Sequence, residues 1–264
     1  MSEQNRTHGL TDRACGNRTV EDYWCLLTRR TEGLLKTLVF DIDGTLTETN
    51  RVDGHFFKNV IRAAVPSIAL ESFSGFVEMT DSAILREICA DAGLSDYEPI
   101  EEVVRSRFVD GLTEALDTDP EAFSAVPGAR TVFASARDAG WTPAVATGGW
   151  RPSAQLKLRA AGIPMAGVPL ATSSEAVHRV DIIRLAVSAA TKGGESGDVV
   201  YVGDGSWDVR ACRELGIGFI GRGVGESEAR LRGLGAQVVL PDFTDPGQLL
   251  SALARLSDLN LSAD

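Results

Sequence analysis

Within ten residues, "LVFDIDGTLT" (Leu38–Thr47), the chain sets two carboxylates one residue apart, followed by a glycine and two threonines, directly after an apolar run. Two acids that close repel each other unless a positive charge lies between them. An acidic turn at a strand end is the plain alternative, but the glycine and hydroxyls narrow the pattern. Two later apolar runs also end in polar residues. "TPAVAT" (Thr142–Thr147) delivers Thr147 to Gly148 and Gly149, and "VVYVGD" (Val199–Asp204) delivers Asp204, with Asp208 four residues on. Oxygens gathered in this way suit a hard divalent cation. A hydroxyl and backbone N–H groups ahead of a helix suit an anion. For the glycine pair alone, an ordinary strand-to-helix turn explains as much; for Asp208 alone, helix capping does.

The elements that must position these residues follow from periodicity. "TLVF" (Thr37–Phe40), "TPAVAT", "VVYVGD", "IGFIG" (Ile217–Gly221) and "QVVL" (Gln237–Leu240) read as strands buried on both faces. Helical stretches such as "GARTVFASARDAG", "PSAQLKLRAAG" and "SWDVRACRELG" alternate with them and end near glycines. This alternation predicts an α/β fold, a Rossmann-like parallel sheet with helices on both faces. In such sheets ligands bind beyond the carboxyl ends of the strands, where the polar residues above converge. An extended backbone through Asp41–Asp43 would point both acids to one side.

Residues 50–124 break the rhythm: "FFKNVIRAAV", "DSAILREICADAG" and "IEEVVRSRFVDGLTEAL" are helical by period with no strand between them. They predict an inserted helical domain, with the core at 35–49 and 125–264. Thr80, Asp81 or Ser82 could cap its second helix and Gly93 end it. Residues 1–34, with the short apolar stretch "YWCLL" (Tyr23–Leu27), read as an N-terminal extension outside the fold.

The net charge of −11 over 264 residues argues against nucleic acid or an anionic membrane as partner. An anionic substrate would need local devices to hold it. No apolar run reaches the length of a membrane span, and the first residues lack a signal peptide's apolar region. Four scattered cysteines (Cys15, Cys25, Cys89, Cys212) suggest reduced thiols and a cytoplasmic setting. Oligomeric state is left open.

Taken together, "DIDGTLT", "VATGG" and "VGDGSWD" resemble the first, second and fourth motifs of the haloacid dehalogenase superfamily, in order and each at the end of an apolar strand. The resemblance spans roughly residues 36–245. It implies that Asp41 is a nucleophile attacking phosphorus and Asp43 the acid and base. It further implies Mg2+ held by Asp41, the backbone carbonyl of Asp43 and Asp204, and phosphate held by Thr147 and Gly148. Asp208 would support the metal water or the basic residue.

For the third motif, where the family usually carries lysine, the lysines between Thr147 and Asp204 are Lys157 and Lys192. Lys157 reads as a solvated stem on a polar helix face, and Lys192 lies in the loop "TKGGESG". Arg179, opening "RVDIIRLAV" ahead of the third-named strand, stands where the family's base usually stands. It keeps the charge and adds bidentate reach. His178 reads as a helix-start residue, and Ser206 and Trp207 as cap and packing. The helical insertion matches the cap of one branch of the superfamily, with "SFSGFVEMTD" (Ser72–Asp81) as a specificity loop. His55, Lys58, Arg62 and Arg86 could reach a substrate or simply be solvated. The implied function is a Mg2+-dependent phosphatase acting on a small phosphorylated metabolite. The alternatives are a phosphomutase or a non-catalytic protein of the same fold.

Overall fold

A computed structural model describes residues 34–261 except 69 and 74. The predicted extension, "YWCLL" included, lies outside the described residues but for Leu34. Six strands form one parallel sheet: β1 (Leu35–Phe40), β2 (Trp141–Ala146), β3 (Leu170–Ala171), β4 (Ser196–Gly203), β5 (Gly218–Arg222) and β6 (Val238–Leu240), in the order 3-2-1-4-5-6. β3, a two-residue edge strand, is the one without a signal in the apolar pattern. The described helices are α1 (Asn50–Ala64), α2 (Asp81–Asp91), α3 (Glu98–Thr118), α4 (Ala129–Asp138), α5 (Arg151–Ala160), α6 (Arg179–Ala190), α7 (Ser206–Leu215), α8 (Glu226–Gly233) and α9 (Pro246–Leu261).

Alternation along β1 sorts the core into two layers. Leu38 and Phe40 pack with residues of α4, α5 and α9 on one face. Val39 packs with residues of α6, α7 and α8 on the other. Phe40, fully buried, meets Phe133 and Phe243 edge-on at ring distances of 5.4 and 6.0 Å. Burying such a side chain contributes roughly 1.5–3 kcal/mol, and here it fixes the strand end next to Asp41.

The direction of winding reverses between β1 and β4, the point where open α/β sheets form a crevice. Phe40 pairs with Val145 on one side and Val202 on the other, and the Asp41 N–H donates to Val202 O at 2.9 Å. The ends of β1, β2 and β4 are therefore level.

Helices α1–α3 lie between β1 and β2 in the chain and share a third apolar cluster built on Phe57, Phe108, Leu112 and Leu85, which also takes in Trp150 and Leu156 from beyond β2. The chain enters and leaves this helical segment side by side. Glu48 N–H donates to Ser124 O at 2.9 Å and Val126 N–H to Leu46 O at 3.0 Å. Thr80 caps α2, its hydroxyl accepting from Ala83 N–H at 3.2 Å. No helix among the described residues is long and apolar enough to cross a membrane.

Candidate active site

Asp41 is the first residue past β1 and is 4% exposed. Its Oδ1 has no hydrogen-bond donor and lies 3.6 Å from the Arg179 guanidinium. β4 ends beside it, so Asp204 and then Asp208, in the first turn of α7, reach the same spot. One carboxylate oxygen from each of Asp41, Asp204 and Asp208 lies within 4.8 Å of the other two. The Oδ1 atoms of Asp41 and Asp204 are buried without a hydrogen-bond donor, whereas Asp208 Oδ1 faces Arg179 Nη1 at 3.0 Å. Burial pushes both Asp41 and Asp204 up to about 7 and Asp208 up to about 6. Arg179 opposes the rise in each, while the neighbouring acids add to it. Anionic oxygens with no donors are what a hard dication needs, and the residues present fit Mg2+ on that ground.

Gly44 makes this approach possible. It sits at φ +74°, and a Cβ there would run into Asp204 Oδ2 and Asn50 Nδ2. That same Asn50 amide, at the start of α1, donates to Asp204 Oδ2 at 2.9 Å.

Arg179 opens α6 and is 5% exposed. It donates to Tyr201 Oη at 3.1 Å and to Met79 O at 2.9 Å, and pairs with Asp208 at 3.0 Å. The Tyr201 hydroxyl in turn donates to Ala146 O at 3.0 Å. Burial would lower the guanidinium's pKa, but Asp208, Tyr201 and Asp41 more than offset it, so the cation persists. Asp208 has a second task. Its Oδ2 accepts the Gly205 N–H at 3.0 Å, so Gly205 rather than Ser206 caps α7. Capping and pairing with arginine are thus done by one carboxylate.

Thr147 and Gly148 follow β2 and face the same cavity, of about 340 Å³, which Asp41, Asp43, Arg179, Asp204 and Trp207 also line. The loop is fastened to the helical segment from both sides. Asp81 N–H donates to Gly148 O at 2.8 Å, and Trp150 N–H donates to Asp81 Oδ2 at 2.9 Å. Trp150 Nε1 continues to Ser82 Oγ at 2.9 Å and Glu101 Oε1 at 2.8 Å. Phe57, Phe73, Met79 and Ile84 give the cavity an apolar side. Phe73 and Met79 come from the stretch expected to act as a specificity loop.

Asp41 and Asp43 line one cavity, as alternation predicts, but they take different partners. The chain leaves the extended conformation at Ile42, whose carbonyl accepts the N–H groups of Thr45, Leu46 and Thr47 at 3.1, 2.8 and 2.9 Å. Asp41 therefore meets Arg179 from one helical layer, whereas Asp43 meets α5 from the opposite layer.

The partner there is Lys157, and here the sequence reading needs correction. The lysine is fully buried, not a solvated stem. Its Nζ bonds Asp43 Oδ2 at 2.5 Å and Asp53 Oδ1 at 2.7 Å. The stripe Ala154, Lys157, Ala161, at helical spacing and all buried, is the signal that could have found it. Thr49 completes the hold on Asp43, donating to Oδ1 at 2.5 Å. Burial raises Asp53 to about 6 against the pull of Lys157, and raises Asp81 well above the carboxylate range with Asp53 adding to it.

The basic residues noted on the helical segment lie off the cavity. His55 contacts Asn59 and lines a different groove, Lys58 sits over the Phe73 ring, Arg62 bonds Leu70 O and Arg86 stacks on Tyr97. His178 caps α6 with its side chain exposed.

The model of the haloacid dehalogenase-like hydrolases matches residues 35–216, which contain every strand-end residue above. The chain belongs to that family. This haloacid dehalogenase-like hydrolase resembles several solved structures at low identity. A hydrolase from Pseudomonas syringae aligns at 20% identity over 83% of this chain and 98% of its own, with a TM-score of 0.64. A putative β-phosphoglucomutase from Bacteroides vulgatus aligns at 20% identity over 88% and 94%, TM-score 0.60. CbbY from Rhodobacter sphaeroides, in complex with phosphate, aligns at 22% identity over 81% and 96%, TM-score 0.55. These likenesses establish the fold. No curated protein matches the chain.

Proposed function

We propose that this hydrolase is a Mg2+-dependent phosphatase that cleaves a small phosphomonoester through an aspartyl-phosphate. The observation that carries the reading is the Asp41 carboxylate: buried at a sheet end, with one oxygen lacking a donor beside a matching oxygen of Asp204, and Arg179 3.6 Å away. A carboxylate is a weak nucleophile in water, and positioning with charge neutralisation is the remedy.

In this reading Asp41 attacks phosphorus, the ester P–O bond breaks, and the leaving oxygen takes a proton from Asp43. Water then gives a proton back to Asp43, attacks the aspartyl-phosphate and restores Asp41 with release of phosphate. The Thr147 hydroxyl, the Gly148 backbone and Arg179 hold the phosphoryl oxygens. Asp41, the Asp43 backbone carbonyl and Asp204 would hold Mg2+, with Asp208 supporting; the ion's contribution is to neutralise the facing charges. Asp208 keeps Arg179 aimed at Asp41. The apolar side of the cavity would receive the leaving group and exclude water. That CbbY was solved with phosphate supports a phosphorylated small molecule as the substrate class.

A panel of phosphorylated sugars, nucleotides, amino acids and short acids, read by released phosphate with and without Mg2+, tests the proposal. A phosphomutase would use the same carboxylates but require a bisphosphate activator and release little phosphate. Asp43→Asn should slow turnover by roughly a hundredfold or more while Mg2+ binding persists. Loss of Mg2+ binding in that variant would sink the assignment of the ligand to the backbone.

A further inference from the structure

The Lys157 ammonium sits where it can act on the leaving-group half of the reaction, and nothing in the phosphate and metal side requires it. It is fully buried on α5, beneath the loop that carries Thr147–Gly149, and a Cβ on Gly149 would stand 3.7 Å from its Nζ. A buried lysine without paired acids would be costly; here two carboxylates take it, Asp43 at 2.5 Å and Asp53 at 2.7 Å. These partners come from different places. Asp43 belongs to the turn after β1, and Asp53 to the first turn of α1 in the inserted helical segment.

Asp43 is thereby held at both oxygens by unlike donors. Its Oδ2 faces an ammonium, which can only donate, whereas its Oδ1 faces the Thr49 hydroxyl, which can donate or accept. Thr49 is itself 2.5 Å from the Thr47 hydroxyl, so it has a second partner to turn to.

We propose that Lys157 is the positioning residue of the leaving-group step, clamping Oδ2 of Asp43 so that Oδ1 is the oxygen that exchanges the proton, with Asp53 tying that clamp to helix α1. The proposal rests on the phosphatase reading and deepens it. When the P–O bond breaks, its electron pair stays on the leaving oxygen, which takes the proton from Oδ1; Lys157 stays an ammonium throughout. Seating of α1 against α5 then sets the orientation of the acid, because one lysine serves both segments.

A purely structural lysine would slow all substrates alike, whereas a residue acting through Asp43 matters only where the leaving group needs a proton. The test compares glycerol 2-phosphate, a poor leaving group, with p-nitrophenyl phosphate, a good one, under saturating Mg2+. Lys157→Met should lower kcat on glycerol 2-phosphate by about tenfold or more and on p-nitrophenyl phosphate by less than about threefold. Lys157→Arg should recover part of the loss. The double variant with Asp43→Asn should be no slower than Asp43→Asn alone. Equal losses on both substrates, or losses that multiply in the double variant, would overturn the proposal.

Should Lys157→Met not fold, Asp53→Asn keeps the lysine and removes its second anchor. It should show the same substrate-dependent loss at smaller size, and an equal loss on both substrates overturns the proposal there too. Wild-type protein that hydrolyses neither substrate overturns the phosphatase reading and this inference with it. Wild-type turnover of both substrates, lost in Asp41→Asn, preserves the phosphatase reading whatever the Lys157 variants show.

Discussion

Two clusters flank the end of β1, each built from three acids and one buried cation, and they are finished in opposite ways. On one side Asp41 and Asp208 flank Arg179 with Asp204 beside them, and Asp41 and Asp204 each keep a buried oxygen with no donor. On the other, Asp43 and Asp53 close on Lys157 and Asp81 closes on the Trp150 N–H, so the polar atoms are met within the chain. The first cluster leaves two oxygens open, as the proposed Mg2+ site requires. The second is complete and joins the helical segment to the core. Similar composition therefore leaves oxygens open in one place and closes a joint between segments in the other.

The contrast can be broken from the first side most severely. Asp41→Asn should cost about a thousandfold or more in kcat on p-nitrophenyl phosphate, the scale of losing a nucleophile, while thermal unfolding stays close to wild type. Robust turnover by this variant would remove Asp41 from the role. Arg179→Met leaves Asp208 buried without its cation and should cost about 3–5 kcal/mol of stability in denaturant unfolding; a loss under about 1 kcal/mol would mean that Asp208 is held by its cap alone.

Protons and Mg2+ should compete for the first cluster. Burial raises Asp41 and Asp204 to about 7, above the unfolded value of 3.8. Their proton-linked contribution to stability is then full below about pH 4 and lost as pH rises through about 7. Metal-free protein should melt lower at pH 8 than at pH 6 through these groups, and Mg2+ should restore more at pH 8. The Mg2+ concentration for half-maximal thermal shift should rise roughly tenfold or more from pH 8 to pH 6. A pH-independent value would mean that these carboxylates do not bind the ion.

The smallest effect concerns the joint. Trp150→Phe keeps an aromatic ring, though a smaller one, and loses the Nε1 bonds to Ser82 and Glu101. About 1–2 kcal/mol of stability should go, with KM rising more than kcat falls because the Thr147–Gly149 loop loosens. An unchanged KM would separate that joint from the phosphate side.

The first cluster was largely legible in the sequence. Asp41 and Asp204 each follow an apolar strand, as Thr147 does beside them, and strands of a parallel sheet end together, so local position along the chain translated directly into a shared place. Arg179 could be placed by the same logic, at the first residue of the helix before β4. The second cluster was not legible. Lys157 lies in the middle of a helix, and lysine there reads as solvent-facing unless its partners are known. Those partners, Asp43 and Asp53, are 114 and 104 residues away in the chain. Asp43 stays on the cavity with Asp41, as alternation assigned it, but its partner comes from the opposite helical layer, which alternation cannot name.

By itself the sequence determined the layered α/β sheet, the helical insertion and the row of oxygens at the strand tips, since these depend on periodicity and on neighbours within a few residues. Only the tertiary structure decided which charges are neutralised internally and which are left open. That distinction depends on where the helices of opposite layers bring their ends, and the energy of a buried charge is set by the atoms around it rather than by the residues beside it in the chain.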